Sequence, residues 1–142
     1  MHKFIAMKKT VLFLIAIVLI GLSSCQDPGK SRVYMDEGQK LMMRYSQYEK
    51  AEEAFTKAIK YDKNNYEALY LRGCSRVNQR KYEEAIADFE HATQLKPDYA
   101  DAYFNIGIAY HLLKDEDSAC VYYKLADQYG RPNMEDFLKR CP

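Results

Sequence analysis

The feature that most constrains this chain is a recurrence at an interval of 34 residues. Ala51, Ala85 and Ala119 fall on it, as do Ala58, Ala92 and Ala126, the aromatic series Phe55, Phe89 and Tyr123, and the series Tyr61, Leu95 and Tyr129. Gly73 and Gly107 keep the same spacing, each preceded five residues earlier by an alanine (Ala68 and Ala102), and Tyr48 and Tyr82 share the register. A fixed period of this length marks an array whose units are too small to bury an apolar face alone and do so against their neighbours. Within each unit the aromatic lies four residues after one alanine and three before the next, so all three share one face of a helix. Small residues there let two helices approach closely, and the aromatic fills the space between layers. Composition agrees: beyond residue 24 only nine residues are Val, Ile or Thr, against twelve Ala, and all four prolines (28, 97, 132, 142) fall outside the predicted helix interiors.

These residues and spacings resemble the tetratricopeptide repeat, a helix-turn-helix unit of 34 residues, over about residues 31–129. The middle unit carries Gly73, Tyr82, Ala85, Phe89, Ala92 and Pro97 on the family's positions. The third carries Tyr103, Ile106, Gly107, Tyr110, Ala119, Tyr123 and Ala126, but has Glu116 where the family prefers an aromatic and Arg131 where Pro is usual. The first has Tyr34, Leu41, Tyr48, Ala51, Phe55 and Ala58; its Gly38 lies 35 residues before Gly73, which places one extra residue near Tyr45 to Gln47. The resemblance implies an all-α helical solenoid with repeats at 31–64, 65–98 and 99–132 and a capping helix in 133–142. Helices are expected at 31–43 with 48–61, 66–79 with 82–95, and 99–113 with 116–129, followed by Asn133 to Arg140. Asp98 and Asn133 stand where N-caps are needed, with Asp136 completing a box-like spacing. Met134, Phe137 and Leu138 would cover the last apolar face.

The N-terminus has a different character. Lys8 and Lys9 precede the apolar run Val11 to Ile20, and small residues follow, the pattern of a secretory signal peptide over residues 1–24. Ten to twelve apolar residues rise roughly 15–18 Å as a helix, short of a hydrocarbon core of about 30 Å. Both Met1 and Met7 are possible starts. Leu22, Ser23, Ser24 and Cys25 resemble a bacterial lipobox, which implies a diacylglyceryl group on the Cys25 thiol and acylation of the new amino terminus. A plain signal peptide that ends in Cys is the alternative. Residues 25–30 are then the lipidated cysteine and a polar tether, and Gln26, in place of Asp, implies sorting to the outer membrane. The expected location is the bacterial cell envelope, facing the periplasm. Net charge is +1, but three of the 21 basic residues and none of the 20 acidic ones precede Cys25, so the rest carries a small acidic excess. A general nucleic-acid binder needs the opposite.

In the family it resembles, the first helices of successive units line a concave groove that receives a peptide or partner helix. Matching positions here are Arg32, Met35, Gln39, Met42 and Met43, then Glu67, Tyr70, Cys74, Val77 and Asn78, then Asp101, Phe104, Ile108, His111 and Leu112. Met adapts its shape, and Tyr and Phe supply contact area at low entropy cost, so this lining suits a segment with apolar anchors. Met42, Met43 and Leu112 are equally readable as core residues. Relatives that clamp a C-terminal carboxylate need Lys, Asn and Arg where this chain has Met35, Leu71 and Asp101, so that mode is not expected. The function implied is a non-enzymatic adaptor or scaffold with a protein or peptide partner and no cofactor or metal. A self-associating module is the alternative, and an envelope thiol enzyme using Cys74 and His111 is a third reading, without an orienting third residue. In an oxidising compartment Cys74, Cys120 and Cys141 are open to bridging. If the chain reverses near Gly130 and Arg131, Cys120 and Cys141 come level, so a Cys120–Cys141 disulfide stapling the closing helix stands beside the alternative of three thiols.

Overall fold

The computed structural model describes residues 26–142; residues 1–24, expected to be a signal peptide, and Cys25, the expected lipidation site, lie outside them. The described residues form seven helices and no strand: α1 Pro28–Tyr45, α2 Tyr48–Tyr61, α3 Tyr66–Asn78, α4 Tyr82–Leu95, α5 Ala100–Leu112, α6 Glu116–Gln128 and the short α7 Glu135–Leu138. None of them is long and apolar enough to cross a membrane. Each helix packs on the next, and α3 also touches both α1 and α5, so the first helices of the three pairs form one row. The fold is the tetratricopeptide-type solenoid that the resemblance implies.

Inside each pair, one aromatic meets one glycine. A methyl added at Gly38 would stand 2.6 Å from the Phe55 ring, at Gly73 2.6 Å from Phe89, and at Gly107 2.6 Å from Tyr123. The missing side chain on the first helix is thus the space the second helix's ring occupies. Ala51, Ala58, Ala85, Ala92, Ala119 and Ala126, on either side of those rings, have no exposed surface, and neither do Ala68 and Ala102. These contacts run continuously into three clusters, centred on Phe55, Phe89 and Tyr123.

The turns inside the pairs repeat as well. Ser46, Arg80 and Lys114 all have left-handed backbones, φ 50°, 62° and 67°. The extra residue of the first unit lies in the last turn of α1. The Gln47 N–H closes on the Leu41 carbonyl, six residues back, where Lys81 and Asp115 close on Arg76 and Tyr110, five back.

Four expectations are corrected at helix ends, the last being a closing helix from Asn133 to Arg140. The segment expected to be tether is largely helix: Pro28 opens α1 at a position where its missing N–H costs nothing, and the Asp27 carboxylate caps it by accepting from the Lys30 N–H at 3.0 Å. Asp98 is not a side-chain cap; Tyr99 holds the cap position of α5 and Asp98 contributes only its carbonyl to the Ala100 N–H. Asn133 does not cap α7 either. It takes a left-handed conformation (φ 60°), which Asn tolerates, and Met134 becomes the cap. The closing helix is four residues long because Arg140 and Cys141 close tighter turns on Phe137 and Leu138, carrying Cys141 to within 5.4 Å of Cys120, Cα to Cα, where the two form a disulfide.

A charged network crosses the middle of the stack. Asp88 on α4, almost wholly buried, accepts from Arg72 Nε and from Arg76 Nη1, each at 2.9 Å. Glu52 on α2 accepts from Arg76 Nε, Gln79 Nε2 and Lys81 Nζ, all at 2.9 Å. Burial alone would raise the Glu52 carboxyl, but the donors Lys81, Arg76 and Gln79 together hold it down at about 2.

Candidate functional site: the groove of the first helices

The row α1, α3, α5 presents the groove, and its two halves differ. Between α1 and α3 it is open. A cleft of about 410 Å³ is lined by Pro28, Arg32, Met35, Asp36 and Gln39 with Asn65 and Glu67. Asn65 builds its wall: its side-chain oxygen caps α3 by accepting from the Ala68 N–H at 2.9 Å, while its Nδ2 donates to Ser31 Oγ of α1 at 3.2 Å. Met35, expected on the lining, is 94% covered, so it forms the apolar floor and only its edge is available. Met42 is half-buried, its sulfur 3.6 Å from Ser75 Oγ, whereas Met43 is exposed.

The centre is formed by Tyr70, Cys74, Val77 and Asn78. The Tyr70 ring rests 4.9 Å from that of Tyr99 and 5.6 Å from that of Phe89, and its hydroxyl accepts from Asn105 Nδ2 at 2.9 Å. Burial pushes that hydroxyl far above the ordinary phenol range. Burial, opposed in part by hydrogen bonding with Tyr70, also pushes the Cys74 thiol up to about 11. A thiol held protonated is a poor nucleophile, and His111 is turned to Glu116, with Nδ1 2.8 Å from Oε1. Val77 packs into the middle cluster, and exposed Asn78 donates to the Cys74 carbonyl at 2.9 Å.

The far half is occupied by the chain itself. The Arg131 guanidinium lies 3.7 Å from the centroid of the Phe104 ring and pairs with Asp101, and Phe137 meets Phe104 edge-on at 4.9 Å. Phe104 and Asp101, expected to face a partner, therefore face the closing segment. Ile108 and His111 line a separate, smaller cavity of about 210 Å³ with Glu116, Cys120, Tyr123, Phe137 and Arg140. The groove expected as one surface is thus an open half at α1–α3 and a self-filled half at α5. Asp36, Asn105 and Arg131 were not singled out as site residues by spacing. The visible signal was Arg131, a cation at the family's Pro position.

Family models for the tetratricopeptide repeat match residues 54–87, 75–114 and 100–129. The chain carries tetratricopeptide repeats. Over 88 residues it is 34% identical to the heat shock protein sti1 homolog of Schizosaccharomyces pombe, covering 62% of this chain and 15% of that protein. Over 96 residues it is 30% identical to the protein O-mannosyl-transferase TMTC3 of Mus musculus, covering 68% and 10%. The chain thus spans a small fraction of the length of either relative. Among solved structures it is similar to the first tetratricopeptide domain of Spaghetti (RPAP3), bound there to the HSP90 peptide SRMEEVD, with 23% identity, a TM-score of 0.77, and 82% of this chain and 94% of that one covered. The contact between Gly38 and Phe55 extends the repeat pattern back to α1, ahead of residue 54, where the family matches begin.

Proposed function

We propose that this chain is a lipid-anchored, non-enzymatic adaptor of a bacterial cell envelope, which captures a protein segment in the open half of its groove. The observation that carries the reading is the cleft between α1 and α3, an apolar floor at Met35 rimmed by Gln39, Arg32, Asp36 and Glu67. Such a site buries an extended segment's apolar side chains while the rim fixes direction. The Spaghetti domain takes an acidic peptide. Here the positions a carboxylate clamp would use hold Met35, Leu71 and Asp101, and the open rim carries two carboxylates against one guanidinium. A segment with an apolar anchor followed by Lys or Arg, placed against Glu67 and Asp36, fits this rim; a free C-terminal carboxylate does not. Cys25, as the lipid-bearing residue, would hold the domain at the membrane, with the outer membrane favoured by Gln26.

A photoreactive side chain at Gln39, in intact cells, tests the groove. The expected result is a crosslink to one envelope protein that Glu67→Lys abolishes, with no such product from the same group at exposed His91. Equal products from both positions contradict the reading. Mass spectrometry of the mature N-terminus tests the anchor: an unmodified Cys25 removes it.

A further inference from the structure

Gln26, the first described residue, lies at one end of the stack, and that end is basic. Gln26, Asp27 and Pro28 share a cleft of about 690 Å³ with Lys30, Lys60, Tyr61 and Lys63. The entry point is pinned, because the Asp27 N–H donates to the Tyr61 carbonyl at 2.8 Å while its carboxylate caps α1. Tyr34 and Tyr61 stack at 5.7 Å beside it. Lys30 Nζ lies 5.4 Å from the Tyr61 centroid, and Lys57 Nζ 5.5 Å from that of Tyr34. Four ammonium groups therefore surround the place where the chain emerges. Two carboxylates lie among them, Asp27, which caps the helix start and pairs with Lys30, and Asp62, which accepts from the Asn64 N–H at 3.1 Å, so four ammonium groups stand against two carboxylates. In a chain whose remainder is slightly acidic, this concentration of positive charge is local.

We infer that this end is a docking surface for an anionic phospholipid bilayer, with Lys30, Lys57, Lys60 and Lys63 set against headgroup phosphates. The inference rests on the reading of Cys25 as the lipid-bearing residue. Only Gln26 separates Cys25 from the pinned Asp27, and two residue steps span at most about 7 Å. That is within the distance of about 8–10 Å over which surface charge acts at ordinary salt. An inserted anchor thus brings the lysines into the field of the bilayer without any further ordering of the chain. Each lysine near an anionic surface strengthens the association about fivefold. The stack would then stand on its first repeat, with the open groove half close to the membrane and the closing segment farthest from it.

The test uses the full chain with vesicles of phosphatidylcholine, with and without phosphatidylglycerol. Flotation with pure phosphatidylcholine reads the anchor, and lysine acetylation followed by mass spectrometry reads the surface. The expected result is protection of Lys30, Lys57, Lys60 and Lys63 on the anionic vesicles alone, lost at high salt, with Lys114 and Lys139 unchanged. The variant Lys60→Gln/Lys63→Gln should float as before on phosphatidylcholine while the anionic contribution to binding falls about thirtyfold. Flotation on both vesicles with identical modification overturns the docking surface and leaves the anchor standing. Failure to float on phosphatidylcholine, with the same four lysines protected on anionic vesicles, removes the anchor and supports the surface. Protection by soluble polyglutamate but not by anionic vesicles overturns the proposal in favour of an acidic protein.

Discussion

A Gly73→Ala substitution puts two residue-level effects in opposition. Alanine is the better helix former by about 1 kcal/mol. Its methyl, however, would stand 2.6 Å from the ring of Phe89, which has no exposed surface and no free side to move into. Overpacking of this kind costs about 1–3 kcal/mol, so the net effect should be destabilising. Urea unfolding measures it; a midpoint at or above that of the unchanged chain would refute the packing. Asp88 gives a second case. Its carboxylate faces both Arg72 and Arg76, and Asp88→Ala leaves two largely buried guanidinium groups without it. A loss of about 3–5 kcal/mol is expected from the same unfolding experiment, whereas a change below about 1 would mean that the network contributes little. The glycines and alanines were legible in the sequence because they recur. Arg72, Asp88 and Glu52 were not, since they occur in one unit only and a buried carboxylate is spelled like an exposed one.

Helices and turns carry the next set of consequences. Glu52 joins α2 to α3 and to the turn at Gln79 and Lys81, and its carboxyl is held at about 2 in the folded protein against an ordinary 4.5. Because the folded state binds this proton less readily than the unfolded one, the contribution is complete above about pH 5. It fades as pH falls toward 2. The melting temperature should therefore drop over that interval, and Glu52→Gln should flatten the drop; identical profiles would contradict the assignment. The closing segment depends on its staple. Cys120 and Cys141 are 21 residues apart, and a loop of that size is worth about 3 kcal/mol in the chain-entropy account. Cys141→Ser should lower the urea midpoint and make it insensitive to reductant; an unchanged midpoint would remove the staple from the account. The sequence announced the pairs of helices through their period. It did not announce the length of α7, because that is set by where Cys141 must arrive and not by the propensity of residues 133–140.

For the whole molecule, one interlock explains both the stack and its open half. The rings of Phe55, Phe89 and Tyr123 fill the spaces left by Gly38, Gly73 and Gly107, which fixes each helix pair and aligns α1, α3 and α5 as one row. Four residues of the open cleft, Arg32, Met35, Gln39 and Glu67, stand at positions that the register marks. The division of the groove could not be read from it, because Arg131 reaches Asp101 and Phe104 across 30 and 27 positions, a contact made by the closing turn and not by any repeat. The consequence is a short solenoid with one end facing the chain's entry, a cleft at α1 and α3, and a far half filled by its own terminus. The most direct measurement of the interlock is the set of glycine Hα chemical shifts, since ring currents act on protons held against an aromatic. Gly38, Gly73 and Gly107 should be displaced together from random-coil positions, with exposed Gly130 undisplaced. Random-coil shifts at all three buried glycines would contradict the account.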